Sequence, residues 1–271
     1  NRAVERTYPP GSAFKAITAA AALAAGMAAP ADEVPAPRTL RLPGTDVRLR
    51  NFGGRPCGDG TPPLAQAFLL SCNTAFARLG LRLGAARLRE QAEAFGFGDA
   101  ELTVPLPVAR SVFPAEPDRP QTALAAIGQY DVRATPLAIA MISAAIGNGG
   151  TLMRPYLVQE VRLADGTLIE EARPTVYGTP VDPVVAGRLA AMMVMVTAPG
   201  GTGARAAIPG VRVAAKTGTA ENAADGEDHA VCTAFAPADD PVAAVGVVVE
   251  HGGSGGRVAA PIARAILEAL L

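Results

Sequence analysis

Several residue types that often point to a function are scarce in this chain. Tryptophan is absent, only four Tyr and eight Phe occur in 271 residues, and the formal net charge is −1. The sequence contains no run of basic residues and no segment in which basic and aromatic residues alternate, which argues against a nucleic-acid partner. The three cysteines show no C-x-x-C spacing and the two histidines stand apart, which argues against a zinc site.

Long apolar runs are missing as well. The best candidate is the alanine-rich segment 16–29, which is shorter than the roughly 18 to 20 residues of a membrane-spanning helix. No charged leader precedes it. We therefore predict a buried helix here, and neither a signal nor a membrane segment within this sequence.

The three cysteines leave two arrangements open. Cys57 and Cys72 are joined by a loop that contains Gly and Pro, so they are the better candidates for a disulfide, with Cys232 as a free buried thiol. Three independent thiols fit the sequence about as well.

Lysine is almost absent among the basic residues. Of 24 basic residues, 22 are arginine, and the exceptions are Lys15 and Lys216. Arginine keeps its proton near neutral pH, whereas burial and neighbouring charge can turn a lysine into a base or a proton shuttle. The two lysines are therefore candidates for chemistry that arginine cannot perform.

The remaining composition predicts one folded, loop-rich domain. Hydrophobic residues make up 49% of the chain, and its 29 Gly and 24 Pro residues separate periodic segments. Helical periodicity is found at 12–25, 64–70, 74–83, 86–95, 122–129, 136–146, 182–196 and 258–270. A hairpin is predicted at 38–52, and an extended pair at 152–172 with a turn at 165–166. Strands are predicted at 211–219, 230–236 and 242–250, with turns at 221–227 and 238–241.

These elements predict an α+β fold. An antiparallel sheet is flanked by the N-terminal and C-terminal helices, and an all-helical subdomain lies between them in the sequence. We assign 27–210 to the helical subdomain and 1–26 with 211–271 to the α/β part of one domain, 1–271.

Ser12 and Lys15 form the first motif with catalytic potential. They lie three residues apart at the start of a predicted helix, and therefore on one face of it. An amine at that spacing can accept the proton of an attacking hydroxyl, and free backbone N–H groups at a helix start can hold an oxyanion. A serine that only caps the helix would give the same pattern, so this motif alone is weak evidence.

Two further polar segments have similar potential. The S-C-N sequence at 71–73 falls in a break between two predicted helices, where side chains can project into a cleft. The K-T-G-T sequence at 216–219 ends a predicted strand, where Lys216 and the threonine hydroxyls can be directed at a carboxylate. Taken alone, an ordinary helix cap and a polar strand end explain each segment as well.

Together the three motifs are far more specific. S-x-x-K on a helix, S-x-N in a helix break and K-T-G on a strand occur in the order found in penicillin-recognising serine enzymes. The sequence at 8–15, 126–129, 134–137, 147–150 and 215–221 resembles the transpeptidase domain of class B penicillin-binding proteins. The resemblance extends through essentially the whole chain and supports a β-lactamase/transpeptidase-like fold.

The resemblance implies a serine transpeptidase that cross-links peptidoglycan stem peptides at D-Ala-D-Ala and is acylated by β-lactams. Ser12 would be the nucleophile and Lys15 its base, if neutral. Ser71 would pass a proton to the leaving amine, with Asn73 orienting it and the substrate amide.

The resemblance also implies roles for the residues of the strand motif at 216–219. Lys216 would complete the catalytic group and, with Thr217 and Thr219, would bind the terminal carboxylate, while Gly218 lets the substrate backbone approach closely. The backbone N–H groups of Ser12 and Thr219 would form an oxyanion hole. No metal or organic cofactor is needed for this chemistry.

Two departures from the family pattern are visible. Only 11 residues precede Ser12, whereas the family's domain normally begins with sheet strands, preceded by a pedestal domain and a membrane anchor. We therefore expect a fragment without these parts, from a protein on the outer face of the bacterial cytoplasmic membrane that works with other cell-wall synthesis proteins. Ala215 stands where the family often has glycine, a change that should leave the strand intact.

Three alternative functions share parts of this sequence pattern. A DD-carboxypeptidase or β-lactamase-like hydrolase would need to activate water, yet no glutamate from Glu90 to Glu171 has an asparagine four residues later. Hydrolases that use a carbamylated lysine pass this test but fit the flanking sequence less well. A non-enzymatic β-lactam sensor is usually coupled to a membrane-embedded protease segment, which this sequence lacks. A degenerate paralogue is disfavoured because every motif residue is intact.

Overall fold

The computed structural model describes residues 1–220 and 227–271. The helices are α1 (Arg2–Glu5), α2 (Lys15–Ala24), α3 (Leu64–Leu69), α4 (Asn73–Ala94), α5 (Arg119–Ala125), α6 (Pro136–Gly147), α7 (Pro183–Thr197) and α8 (Ala259–Leu270), with 3₁₀ turns at Gly11–Phe14, Phe52–Gly54 and Ala204–Ala206. The strands are β1 (Thr39–Arg41), β2 (Arg48–Arg50), β3 (Thr103–Val104), β4 (Leu106–Pro107), β5 (Leu152–Met153), β6 (Glu160–Arg162), β7 (Leu168–Glu171), β8 (Val176–Gly178), β9 (Ala214–Ala220), β10 (His229–Ala236) and β11 (Ala243–Val249). The turn predicted at 221–227 lies outside the described residues except for Glu227.

The three longest strands form an antiparallel sheet in the order β11-β10-β9. Because successive side chains of a strand point to opposite faces, β10 supplies two cores. Val231 and Phe235 pack into a large core with α2, α6 and α7, whereas Cys232 and Ala234 pack into a smaller core under α8. Helices therefore cover both faces, and the predicted α+β architecture is confirmed.

The first long helix lies deep in the large core. Residues 15–23 of α2 are all buried, and the helix packs against α4 and α7. Alanine dominates α2, and small side chains let helices approach closely. The predicted buried helix is confirmed, and Gly26 follows its end with a φ of 62° that suits glycine. Within the described residues, no helix is both long and apolar enough to span a bilayer.

Several local features differ from expectation. The two helices predicted at 74–83 and 86–95 are one element, α4, interrupted at Gly84, whose φ is 80°. The segment predicted as one extended pair at 152–172 is divided, because β5 pairs with β8 around the hairpin β6–β7. Strands β3 and β4 were not predicted, since two residues are too few to show a period.

Cys57 and Cys72 form a disulfide with a Cα–Cα distance of 5.9 Å, and Cys232 is a buried free thiol. The first of the two arrangements left open by the sequence is the one adopted. The bond ties the loop ahead of α3 to the residue that precedes α4.

We expect Cys57→Ser to lower the free energy of unfolding by about 3 kcal/mol, because the disulfide closes a loop of about 15 residues in the unfolded chain. Urea denaturation without reductant measures the change. Adding reductant should destabilise the parent by the same amount and leave the variant unaffected. Cys232→Ala is the control and should respond to reductant like the parent. A parent that keeps its midpoint after thiol titration shows the bond to be reduced would contradict the prediction.

Candidate active site

Ser12 lies in the 3₁₀ turn Gly11–Phe14, here called the Ser12 turn, directly ahead of α2. The residue in the capping position of this turn is Pro10, and no side chain caps the turn. The interpretation of Ser12 as an ordinary helix cap is therefore wrong. Its side chain is half-buried, and Lys15 begins α2 one turn later.

Close packing on two sides fixes the Ser12 turn. The Gly11 N–H donates to the Gly128 carbonyl at 3.0 Å, and a β-carbon on Gly128 would collide with the Gly11 carbonyl oxygen. On the other side, a β-carbon on Gly218 would lie 2.6 Å from the Pro10 carbonyl oxygen. Glycine is therefore required at both positions, and the turn is pressed directly against β9.

Lys15 is fully buried, and its amine is surrounded by oxygen atoms. Nζ donates to the Ser71 carbonyl at 2.7 Å and to Asn73 Oδ1 at 2.7 Å, and lies 3.3 Å from Ser71 Oγ. Burial, and secondly the nearby Lys216, holds the pKa of Lys15 well below that of an ordinary lysine. The neutral amine is thereby favoured.

Lys216 is also fully buried, and it approaches Ser71 from β9. Its Nζ donates to Ser71 Oγ at 2.8 Å and to the Thr217 carbonyl at 3.0 Å. Burial lowers the pKa of Lys216 to about 7. The two lysines, 201 positions apart in the sequence, therefore meet at one hydroxyl group.

Ser71 occupies the break between α3 and α4 with a φ of 58°. This left-handed conformation costs a residue other than glycine about 1 to 2 kcal/mol. The Ser71 and Cys72 N–H groups donate to the Phe68 and Ala67 carbonyls at 3.1 and 2.9 Å, which closes the end of α3. The predicted helix break is confirmed, and the strained serine in it directs a hydroxyl at both lysines.

The hairpin β1–β2 holds the start of α4. The Asn73 Nδ2 group donates to the Arg50 carbonyl at 3.0 Å, which orients Asn73 Oδ1 toward Lys15. Next to it, Asn51 Oδ1 accepts from the Thr74 N–H at 2.9 Å. The sequence predicted this hairpin but gave no signal that Asn51 supports the S-x-N segment.

Lys216 and the two threonines of the strand motif lie on opposite faces of β9. Thr217 Oγ1 donates to Thr202 Oγ1 at 2.9 Å, and Thr219 Oγ1 accepts from the Gly255 N–H at 3.3 Å. The alternation of a strand places Lys216 toward the helical side and the threonine hydroxyls toward the turn after α7 and the loop before α8. Sequence reasoning missed Thr202, since it lies outside all three motifs.

The described part of the chain contains no group of three or more His, Cys, Asp or Glu side chains that could hold a metal ion. What the site does contain is a hydroxyl on a tight turn, two amines with lowered pKa values and a bridging serine. Such a set is suited to nucleophilic attack with proton transfer.

The family model of the penicillin-binding protein transpeptidase domain matches residues 1–268. The chain belongs to this family. The peptidoglycan D,D-transpeptidase PbpA of Mycobacterium tuberculosis is 47% identical over 280 residues, which cover 100% of this chain and 56% of PbpA. Stage V sporulation protein D of Bacillus subtilis is 34% identical over 276 residues, covering 97% and 42%.

Solved structures of penicillin-binding proteins agree with the fold. The ceftriaxone acyl-enzyme complex of penicillin-binding protein A from M. tuberculosis has a TM-score of 0.95 at 47% identity and covers 100% of this chain and 62% of its own. The D,D-transpeptidase domain of a peptidoglycan glycosyltransferase from Eggerthella lenta has a TM-score of 0.90 at 35% identity, covering 98% and 66%. This penicillin-binding transpeptidase domain thus spans about half the length of the curated relatives.

We expect Lys216 to make the free energy of unfolding rise with pH between about 7, its pKa in the fold, and 10.5, the pKa of an ordinary lysine. In this window the unfolded chain binds more protons on its lysines than the folded chain, so raising the pH favours the folded state. Lys216→Met should make the slope shallower.

Urea denaturation at intervals between pH 7 and about 8.5 measures the slope, because above that range Cys232 opposes it: burial raises the pKa of this thiol to about 12, so the unfolded chain loses the thiol proton first. Arg78→Met is the control, because it also replaces a positive side chain by methionine but leaves both lysines in place. An unchanged slope in Lys216→Met would show that Lys216 keeps its proton like an exposed lysine.

Proposed function

We propose that this domain performs the acyl transfer of a peptidoglycan D-Ala-D-Ala transpeptidase, through an acyl-enzyme on Ser12 that β-lactams also form. The observation that best supports the proposal is the meeting of Lys15 and Lys216 at Ser71, next to the turn that carries Ser12. Fully buried amines favour the neutral form that a base requires. The acyl-enzyme complex of the M. tuberculosis relative supports the same chemistry by similarity.

In the first step, Lys15 takes the proton of Ser12 as Ser12 Oγ attacks the substrate carbonyl carbon. A neutral amine has two N–H groups and one lone pair. The Ser71 carbonyl and Asn73 Oδ1 accept the two N–H groups at 2.7 Å each. The lone pair therefore remains for the proton of Ser12. Backbone N–H groups of Ser12 and Thr219 stabilise the resulting oxyanion.

In the second step, the C–N bond breaks and the amine leaves with a proton. Ser71 donates this proton and recovers one from Lys15, which lies 3.3 Å from its Oγ. Lys216 donates to the same oxygen at 2.8 Å, so the hydrogen of Ser71 stays available for the leaving group. Asn73 holds Lys15 in place throughout.

The substrate carboxylate binds along β9. We assign this role to the hydroxyls of Thr217 and Thr219, behind which Lys216 lies on the opposite face, and Gly218 keeps the strand close to the Ser12 turn. Hydrogen bonds to an ionised carboxylate are shorter and stronger than those between neutral groups. The amine of a second stem peptide then accepts the acyl group from Ser12.

We also propose an extracytoplasmic location, on the outer face of the bacterial cytoplasmic membrane, with cell-wall synthesis proteins as partners. The Cys57–Cys72 disulfide supports this location, because disulfides persist in oxidising compartments and are rare in the cytosol.

We expect Ser12→Ala to abolish covalent labelling by a fluorescent penicillin, and Lys15→Arg nearly to abolish it, because arginine keeps the charge but cannot accept a proton. Mass spectrometry of the intact protein measures the acyl adduct. Ser143→Ala, which removes a buried hydroxyl beside Thr233, is the control and should be labelled normally. Labelling of Lys15→Arg at the parental rate would show that Lys15 is not the base.

A D-Ala-D-Ala thioester analogue decides between the alternatives. Turnover with transfer to an added amino acid supports the transpeptidase, and turnover to water alone supports the hydrolase. Acylation without any turnover supports a sensor and would overturn the proposed function.

We expect Thr217→Val to weaken β-lactam recognition while Ser12 stays reactive. Losing one hydrogen bond to a charged group costs roughly 1.5 to 3 kcal/mol, so the second-order acylation rate should fall about tenfold or more. Acylation kinetics at a series of penicillin concentrations measure the effect on binding and on the chemical step separately. An unchanged rate would remove Thr217 from the carboxylate site.

A further inference from the structure

Thr202 is a polar residue that the mechanism above does not use, and it is built into the active site. It lies in the turn after α7, where the Thr202 Oγ1 and N–H groups contact the Leu69 carbonyl at 3.3 and 3.4 Å. The same hydroxyl accepts from Thr217 Oγ1 at 2.9 Å. Leu69 ends α3, two residues before Ser71, so Thr202 joins the two segments that form the site.

The backbone around Thr202 leaves it little freedom. A β-carbon on Gly201 would collide with the Val196 carbonyl oxygen, and one on Gly256 would collide with the carbonyl oxygen of Thr202 itself. Both glycines therefore permit close approaches that hold Thr202 against β9. The oxygen atom of the Thr202 hydroxyl is therefore held in place, and only its hydrogen is free to turn.

Each threonine hydroxyl has a single hydrogen to donate. Because Thr202 donates its hydrogen to the Leu69 carbonyl, it must accept the hydrogen of Thr217. In this arrangement Thr217 offers only lone pairs to an approaching carboxylate, and lone pairs repel a negative charge. The carboxylate can be bound through Thr217 only if the two hydroxyls reverse.

We propose that Thr202 is a positioning residue for carboxylate recognition, which reverses its hydrogen bond and donates to Thr217 when a carboxylate-bearing substrate binds. Thr217 then donates to the carboxylate. The Leu69 carbonyl keeps the bond from the Thr202 N–H, so no buried acceptor is left unsatisfied. Rotating two hydroxyl groups moves no heavy atom, so the reversal needs no rearrangement of the fold. This inference rests on the proposed function, since Thr217 must face the carboxylate.

The test compares benzylpenicillin with its methyl ester, which keeps the reactive ring but has no negative charge. Thr202→Val should lower the second-order rate of acylation by benzylpenicillin about fivefold, because Thr217 keeps its hydrogen bond to the carboxylate but loses the neutral hydrogen bond that orients its hydroxyl. Acylation by the ester should change less than about twofold, since no carboxylate is recognised. Thr202→Ser retains the hydroxyl and should restore the parental ratio of the two rates.

Two controls separate positioning from stability. Thr197→Val removes another threonine hydroxyl of the same region, which donates to the Val213 carbonyl at 2.8 Å ahead of β9. Thr197→Val should change the acylation rates of benzylpenicillin and its methyl ester by the same factor. Thr202→Ala repeats the test with a smaller side chain, and thermal melting verifies that each variant is folded.

The outcomes are distinct. Equal losses with both compounds, or a failure of Thr202→Ser to restore the ratio, would overturn the positioning role while leaving Ser12 acylation intact. A parent protein that neither compound acylates would overturn the proposed function, and this inference with it. A loss confined to benzylpenicillin in both Thr202→Val and Thr202→Ala supports the inference.

Discussion

Two buried amines share one hydroxyl, and the rest of the site depends on that constraint. Lys15 and Lys216 are fully buried and both reach Ser71 Oγ, yet neither forms a salt bridge with any carboxylate of the described chain. Burying two ammonium groups without counter-charges is expensive, so the environment favours their neutral forms. Burial away from solvent thus lowers the pKa of a lysine far enough for its amine to act as a base near neutral pH.

Small side chains allow this burial. The alanine-rich α2 fits inside the core, and glycines let the Ser12 turn lie directly on β9. Side chains alternate along β9, so Lys216 lies on the helical side of the sheet and the threonine hydroxyls lie on the opposite side. Proton transfer and carboxylate recognition are thereby assigned to different faces of one strand, with Ser12 beside its edge.

The sequence could predict those features of the fold and the site that depend on a pattern within a few consecutive residues. The spacing of Ser12 and Lys15, the break at Ser71 and the strand at Lys216 each have a local period or interruption, and the structure has all three. The role of Thr202 could not be predicted, because it depends on a contact with Leu69, 133 residues away. The left-handed Ser71 was equally hidden, since serine carries no preference for that conformation. The sequence could not decide whether Cys57 and Cys72 form a disulfide, because the pairing depends on the distance between their Cα atoms, which composition does not supply.

The burial of both lysines has a practical consequence for work at the bench. Every exposed positive side chain of this protein is a guanidinium, so reagents that label or cross-link lysine find no lysine side chain on its surface. The two amines themselves are buried, and their lowered pKa values favour the unprotonated, nucleophilic form. Lysine acylation, usually a nonspecific surface modification, would in this protein report on access to the active site.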